Sequence, residues 1–580
     1  MAELKVVGKS LPKHDAMEKL TGQTAYIHDV KLPGMLYGKI LYSDRISARI
    51  VAIDTSEAEA VPGVRAVITA YNTPEVRFGF IKDNTALKKE RVRQYRDEVA
   101  AVAATSEEAA NKAISKIKVI YEDLPALFDL EEALAEGAPL LHETDRKGKP
   151  LTDNRLRLPY KFESGDIKAG ELKADFVVAG EYKLSWVTHC CLGTSGFIAS
   201  FDNHGDLTVH SNTQIPSLAK ADYKEALTAM GLNGRVRLIN AAVGGGFGSK
   251  LDTYAHEYIA ILLAHRTGKP VKILFDRQEE FIATSPRQPM RISIRQGCTN
   301  EGKLTFRDVS LLLDNGAYTS WGATTPSVAM MPATSLYRVP NIRYDAVSVY
   351  TNNTYSQAFR GYGTPQVNFA IESNLDELAV AAGIDPLQMR LLNANVEGEV
   401  SPQGFNFKTC GHRECLETVG NRVHLKNTQE LPKSTGSKVR GVGYASLLHN
   451  GGGAKIYRSD GCGTIMKMDD TGHVDVFSGS MEIGQGLDTV LRQIVSETLG
   501  IPMRMVNIIV GDTDICPWDV GVHASRSTFV AGNSALAAAR EIKDQILKFA
   551  GDMLEAPLEI LDIEDMVVVC KEDSSKNIPL

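Results

Sequence analysis

Four clusters in this sequence place glycines or polar side chains beside the start of a helix. Such junctions present unpaired backbone N–H groups and the positive end of a helix dipole, which suits an anion. Gly244-Gly-Gly-Phe-Gly-Ser-Lys250 follows an apolar strand and precedes a helix. It is not a P-loop, because Gly248 is followed by Ser249-Lys250-Leu251, and a dinucleotide fingerprint started at Gly244 would need glycine at 249. Its missing side chains let the backbone approach a flat ligand, or simply allow a tight packing turn. Gly484-Gln485-Gly486 opens a second helix. The Gln485 amide both donates and accepts, which suits a ligand with heterocycle edges and a phosphate; the plain alternative is an N-cap turn. His523-Ala-Ser-Arg-Ser-Thr528 gathers three hydroxyls and a guanidinium before a third helix, as a phosphate site or as a capping cluster. In Gln357-Ala-Phe-Arg-Gly-Tyr-Gly363 a Gly-x-Gly turn presents Arg360 either to a pocket or to a surface ion pair.

The elements that must carry these clusters are partly legible. Residues 1–17 form a polar arm. Residues 36–41 and 64–70 read as strands, with Pro62-Gly63 as a turn. The apolar run 99–104 reads as a buried strand, followed by a helix capped at Thr105 or Ser106, with Glu107 and Glu108 in its first turn, and by a strand at 118–121. That unit is a small α/β domain spanning 18–130. Residues 131–165, with Pro139, Gly148 and Pro150, read as a linker. A second region, 166–420, holds a strand at 235–243 and helices near 252–266, from Pro365 to Ala382, and from Asp385-Pro386. A polar connector, 421–437, leads to a third region, 438–580. It has strands at 463–468 and 474–479, and a helix whose stripe is Leu487, Val490, Leu491, Ile494, Val495 and Leu499, stopped by Gly500. A last helix covers 527–547. The fold class is α+β.

Bulk properties exclude several functions. The chain has 580 residues, 43% hydrophobic and 23% charged, with a net charge of −7, so no strong pull toward nucleic acid or anionic membrane is expected. No apolar run reaches the ~18 residues that span a bilayer, and the N-terminus has no secretory pattern, so a cytoplasmic location is expected. Eight scattered cysteines, with no Cys-x-x-Cys cluster, argue against a disulfide scaffold and against a resident iron–sulfur cluster. Cys410-Gly-His-Arg-Glu-Cys415 offers at most three ligands to a metal, and a structural role is expected.

Taken together and in this order, Asn212-Thr-Gln214, the 244–248 loop, Ala-Phe-Arg-Gly-Tyr-Gly at 358–363, Gly-Gln-Gly at 484–486 and Ala-Ser-Arg-Ser at 524–527 resemble the molybdopterin-binding set of the xanthine dehydrogenase family. On that resemblance, 18–130 is a hammerhead domain, and 166–420 and 438–580 are the first and second molybdopterin-binding domains, the last one incomplete. It implies a molybdenum–molybdopterin oxidoreductase, with the pterin in its mononucleotide or its cytosine dinucleotide form. Partner subunits would carry [2Fe–2S] clusters and FAD in a hetero-oligomer. The resemblance puts Gln214, Phe247, Arg360 and Ala524 around the molybdenum without ligating it, with Gly248 beside them. Gly484, Gln485 and Gly486 would lie on the pterin, and Ala524, Ser525, Arg526 and Ser527 on the pterin and its phosphate. Leu251 and Tyr362 take the substrate positions, Tyr362 as the stacking aromatic.

Departures from the family narrow the chemistry. Purine-oxidising relatives carry a glutamate where Leu251 stands and an arginine where an ungapped count reaches Val328, with Arg338 out of register. Carbon monoxide dehydrogenases carry a cysteine beside the loop arginine, here flanked by Phe359 and Gly361. The opening Val-Val-Gly-Lys-Ser-Leu-Pro-Lys-His-Asp-Ala and the run Arg-Ser-Thr-Phe-Val-Ala-Gly-Asn are similar to 4-hydroxybenzoyl-CoA reductase large subunits. The expected reaction is therefore hydroxylation, or reductive dehydroxylation, of an aromatic or heteroaromatic ring. Purine-type or aldehyde-type hydroxylation and an inactive assembly partner are the alternatives. The catalytic glutamate implied by the family lies in a Gly-Glu-Pro-Pro-like segment that these residues lack, which leaves a truncation or a separate C-terminal fragment.

Overall fold

The computed structural model describes residues 4–580 apart from 146, 159, 424–435, 440, 450 and 453–459. Most of the expected connector 421–437 therefore lies outside the described residues. The chain divides into two compact units. The first comprises Met1–Leu124, His189–Thr284 and Gly451–Leu580, and the second Pro125–Thr188 and Ser285–Asn450.

The first unit is built on a seven-stranded mixed sheet. Its order is Val236–Asn240, Leu207–Ser211, Gly196–Phe201, Val271–Leu274, Leu36–Tyr42, Glu98–Ala104 and Val64–Thr69. The apolar run expected as a strand is fully buried from Val99 to Ala104. The helix Glu107–Ile114 covers it and is capped by Ser106, whose hydroxyl accepts the Ala109 N–H at 3.1 Å. Leu36–Tyr42 pairs in parallel with Val271–Leu274, from Leu36 opposite Val271. Gly38 permits that approach, since a Cβ there would fall 2.6 Å from Ile273 Cγ1. The helix Ala255–Thr267 shows no apolar stripe because ten consecutive residues, Ala255 to Ala264, are buried.

The same unit contains a three-stranded sheet, Thr464–Met468, Val474–Ser478 and Val506–Ile509. The helices Leu487–Leu499 and Ser527–Leu554 cover it. Leu487, Leu491, Val495 and Leu499 of the first meet Ala531, Ala535 and Ala539 of the second. Alanines at four-residue spacing let two helices pack closely. Gly500, at φ 64°, ends the first helix as expected of a left-handed cap. The polar arm lies on this helix: the N–H groups of Lys5, Val6 and Val7 donate to the Glu497 carboxylate, and Gln493 Nε2 donates to the Val6 and Lys9 carbonyls.

The second unit is a five-stranded sheet ordered Phe176–Leu184, Met290–Cys298, Leu304–Gly316, Ile342–Tyr350 and Tyr160–Ser164. Helices Thr325–Ser335 and Thr364–Ala381 seal one face over a continuous apolar core. Two structural expectations are corrected here. Residues 131–165 are more than a linker, because they complete the helix Leu130–Leu134, capped by Asp129, and supply the strand Tyr160–Ser164. Residues 166–420 are not one compact body, because strand pairing draws 189–284 into the seven-stranded sheet. No described helix is long and apolar enough to cross a membrane.

Candidate active site

Three loops of the first unit converge on a small apolar cluster. Val243 leads into the glycine loop, Met481 and Ile483 lead into Gly484-Gln485-Gly486, and Val522 leads into Ala524–Ser527; these side chains pack together with Val510. The loops expected on one ligand therefore share one anchor.

The glycine loop is held from behind. Gly193 N–H donates to the Gly244 carbonyl at 3.0 Å, and a Cβ on Gly244 would fall 2.9 Å from Gly193 Cα. The buried Lys250 ammonium donates to the carbonyls of Gly193 (2.8 Å) and Val243 (2.6 Å). Burial pulls its pKa down to about 8. The buried Cys191 thiol donates to the Gly246 carbonyl at 3.2 Å, and burial pushes it up to about 11.

Gln214 joins this loop to the 521–527 segment. It is 3% exposed. Its Oε1 accepts the Gly248 N–H at 2.9 Å, and its Nε2 donates to the Val522 carbonyl at 2.8 Å. The backbone repeats the link through Gln214 N–H to Lys250 O and Val522 N–H to Gln214 O. Among the described residues, one amide proton of Gln214 remains uncommitted. A Cβ on Gly246 would lie 2.3 Å from Gln214 Oε1, so this closeness requires glycine. Phe247 has φ 55° and is 42% exposed, and Ala524 and Ser525 have φ 47° and 53°. Side chains in the left-handed region are strained, and such strain collects where backbone shape serves a site.

At the two expected anion sites, several of the polar groups already have partners within the chain. At the Gly484-Gln485-Gly486 turn, the Glu482 carboxylate already accepts the N–H groups of Gly484 (2.6 Å), Gly486 (3.1 Å) and Asp488 (3.2 Å). The helix start is thus capped by its own chain. Gln485 braces the turn, accepting from Ile483 N–H at 2.7 Å and donating to Met481 O at 2.9 Å. Arg526 is buried; it pairs with Asp519 at 2.9 Å and Asp460 at 2.5 Å and donates to the carbonyls of Gly521 and Gly461. That guanidinium anchors the loop and is closed to a phosphate, whereas Ser525 is exposed and Ser527 mostly buried.

Arg360 and Tyr362 belong to the second unit. Arg360 is exposed. Its carbonyl accepts from Arg287, which also donates to Gln366 and lies over the Phe359 ring with its guanidinium carbon 4.2 Å from the centroid. Burial lowers the Arg287 pKa to about 10. Tyr362 has φ 48°, and its hydroxyl bonds the Trp321 carbonyl and Thr324. Leu251 is buried and its N–H donates to Gly248 O, Val328 is buried, and Arg338 reaches the Leu392 carbonyl. The His412 ring accepts from Asn395 N–H and bonds Ser446, and Cys410 bonds the Asn395 carbonyl.

Sequence reading missed Glu482, Lys250, Cys191, Asp519 and Arg287. The capping rule could have found Glu482, an acid just before a helix start; Cys191, Lys250 and Arg287 act through contacts distant in sequence, and Asp519 through Arg526 seven residues on.

The chain matches the aldehyde oxidase and xanthine dehydrogenase a/b hammerhead domain over 21–125 and two molybdopterin cofactor-binding domains over 149–394 and 414–579. It is 34% identical over 560 residues to the xanthine dehydrogenase molybdenum-binding subunit of Escherichia coli, covering 93% of this chain and 72% of that one. It is 37% identical over 441 residues to the nicotinate dehydrogenase large molybdopterin subunit of Eubacterium barkeri, covering 76% and 98%. The solved Cu,Mo-CO dehydrogenase superposes with a TM-score of 0.87 at 28% identity, over 100% of this chain and 77% of that one. Fold and loops define a molybdopterin-dependent oxidoreductase. The chain belongs to the xanthine dehydrogenase family, as a molybdopterin-binding large subunit.

Proposed function

We propose that this chain is the molybdopterin-holding subunit of a hydroxylase acting on an electron-poor carbon of an aromatic heterocycle. The observation that carries the cofactor reading is Gln214: a buried amide pinned at both ends, with one proton uncommitted among the described residues, beside a backbone loop that tolerates no Cβ at 246. These features fit a flat pterin edge and a nearby oxygen acceptor. When bound, the molybdenum–pterin group would supply the two-electron redox change and the transferred oxygen. The protein's own contribution is position. Gln214 fixes a donor, Phe247 presents an aromatic face, and the turns at 484–486 and 524–525 offer shaped backbone. Tyr362, anchored through its hydroxyl, would present a ring for substrate stacking, and Arg360 a cation.

The heterocycle reading draws on the likeness to proteins named for xanthine and nicotinate. Purine-type or aldehyde-type hydroxylation also fits, on the likeness to the xanthine dehydrogenase molybdenum-binding subunit and to the aldehyde oxidoreductase structure. Reductive dehydroxylation of an aromatic CoA thioester is the second reading; the opening and 526–533 segments favour it. The proposal includes partner subunits bearing [2Fe–2S] clusters and FAD, a cytoplasmic setting, and either pterin form.

Metal and pterin analysis of the purified complex, followed by turnover with N-heterocycles and with aromatic CoA thioesters, tests the reading. Molybdenum with pterin and oxidation of an N-heterocycle are expected. A complex containing neither molybdenum nor pterin would sink it.

A further inference from the structure

Arg287 is a half-buried cation of the second unit with no acid to balance it. Burial alone lowers its pKa, and no described carboxylate lies within ion-pair distance. Desolvating a charge without a counter-ion is costly; Arg390 in the same unit is paired with Glu372 instead. Among the described residues, both hydrogen bonds of the Arg287 side chain go to one loop and the helix it leads into. Nη1 donates to Gln366 Oε1 at 2.7 Å, in the first turn of Thr364–Ala381, and Nη2 donates to the Arg360 carbonyl at 2.9 Å. The guanidinium carbon lies over the Phe359 ring, 4.2 Å from its centroid. Gln366 Nε2 donates back to the Gln288 carbonyl at 3.2 Å, which closes a clasp between 287–288 and 359–366.

The base of this strut is fixed by backbone. Arg287 N–H donates to the Val187 carbonyl at 2.9 Å, and Gln357 N–H donates to the Pro286 carbonyl at 3.0 Å. The loop it meets has a shape that needs holding. Tyr362 stands at φ 48°, a conformation that side chains keep only where the surroundings impose it. Tyr362 N–H donates to the Phe359 carbonyl at 2.7 Å, so the place of Phe359 and Arg360 sets the Tyr362 backbone. From this we infer that Arg287 is a positioning residue: it holds the Phe359–Gly363 loop, and so sets where the Tyr362 ring and the Arg360 guanidinium stand toward the substrate. The inference rests on the substrate roles proposed for those two residues. Lysine could not replace it. An ammonium is a point charge on a flexible stem, whereas the planar guanidinium serves two acceptors in fixed directions while lying against a ring. Its partners stand 73 and 79 residues further on, so the loop motif by itself does not reveal it.

The test compares Arg287→Lys, Arg287→Met and Gln366→Leu with wild type in the purified complex. Turnover is measured on whichever of pyridine, pyrimidine and 4-hydroxybenzoyl-CoA the wild type converts fastest. Molybdenum and pterin per chain and amide hydrogen exchange over 359–363 and 290–298 are measured beside it. A merely structural role would lower the amount of active enzyme, and so the apparent kcat, but would leave KM unmoved. A displaced loop raises KM. Arg287→Lys and Arg287→Met are both expected to raise KM about tenfold and Gln366→Leu about threefold, with kcat within about threefold of wild type. Cofactor content should stay at the wild-type level, and exchange should quicken in 359–363 alone. Wild-type KM in Arg287→Lys would show that charge suffices and would overturn the inference. So would exchange that quickens equally over 290–298, which would make Arg287 a support of the whole sheet. A wild-type complex with neither molybdenum nor pterin would overturn the functional reading instead, and unchanged loop exchange in Arg287→Met would still overturn the positioning role by itself.

Discussion

Single residues at this site divide between those that face a ligand and those that hold others in place. Gln485 and Arg526 looked like ligands by type, yet both spend their polar atoms on their own loops. Asp488 shows the cost of crowding acids behind the turn. Burial, then the neighbouring Glu482 and Asp15, raises its carboxyl to about 7, against the opposing pull of Arg492 and Lys19. A carboxyl raised in the fold holds its proton more tightly there than when unfolded. Its charge therefore destabilises the fold increasingly as pH rises from about 4 to about 7, and fully above that. Asp488→Asn removes this burden. The variant should melt higher than wild type at pH 8, by an amount on the order of 1–3 kcal/mol, with the gap narrowing toward pH 5. Melting midpoints at the two pH values check it; a gap independent of pH would refute the assignment.

Elements set the next scale. The glycine loop has meaning only against Gln214 and Gly193, which arrive from two other places in the chain, and against Lys250 at its own end. Gly246→Ala puts a methyl 2.3 Å from a pinned amide oxygen, so Gln214 must leave its position. Overpacking of this kind costs about 1–3 kcal/mol locally, which the unit as a whole can absorb. The expected result is a folded chain, unchanged by circular dichroism, with most of its pterin lost. Full pterin content in that variant would show that the loop does not shape the cradle. Helix starts and stops were legible because caps are local: Ser106, Asp385 and Gly500 stand where their types predict. The five-stranded sheet was not. Its long strands, such as Leu304–Gly316, bury residues on both faces over much of their length and give no alternating signal.

At the scale of the molecule, the chain passes between two compact units near residues 124, 188, 284 and 450. Each unit has its own core, so a lesion in one should register separately. Arg390, fully buried in the second unit, pairs with Glu372 at 2.7 Å. Removing one partner of such a pair strands a buried charge, at about 3–5 kcal/mol. Arg390→Met should bring an early unfolding step confined to 125–188 and 285–450, seen as faster hydrogen exchange there, with exchange in 189–284 near that of wild type. Equal acceleration in both units would mean that they unfold as one.

The sequence by itself determined which loops matter, because glycine, glutamine and small hydroxyl residues beside helix starts are local signals, and their order along the chain matched a family. It determined the helix caps and the hammerhead strands for the same reason. Only the tertiary structure decided which polar atoms remain for a ligand. Glu482 closing the 484–486 turn, Asp460 and Asp519 consuming Arg526, and Lys13 reaching Gly484 across 471 residues are pairings between distant or competing groups. A residue's type states what it can donate or accept, and the fold states what has already been given.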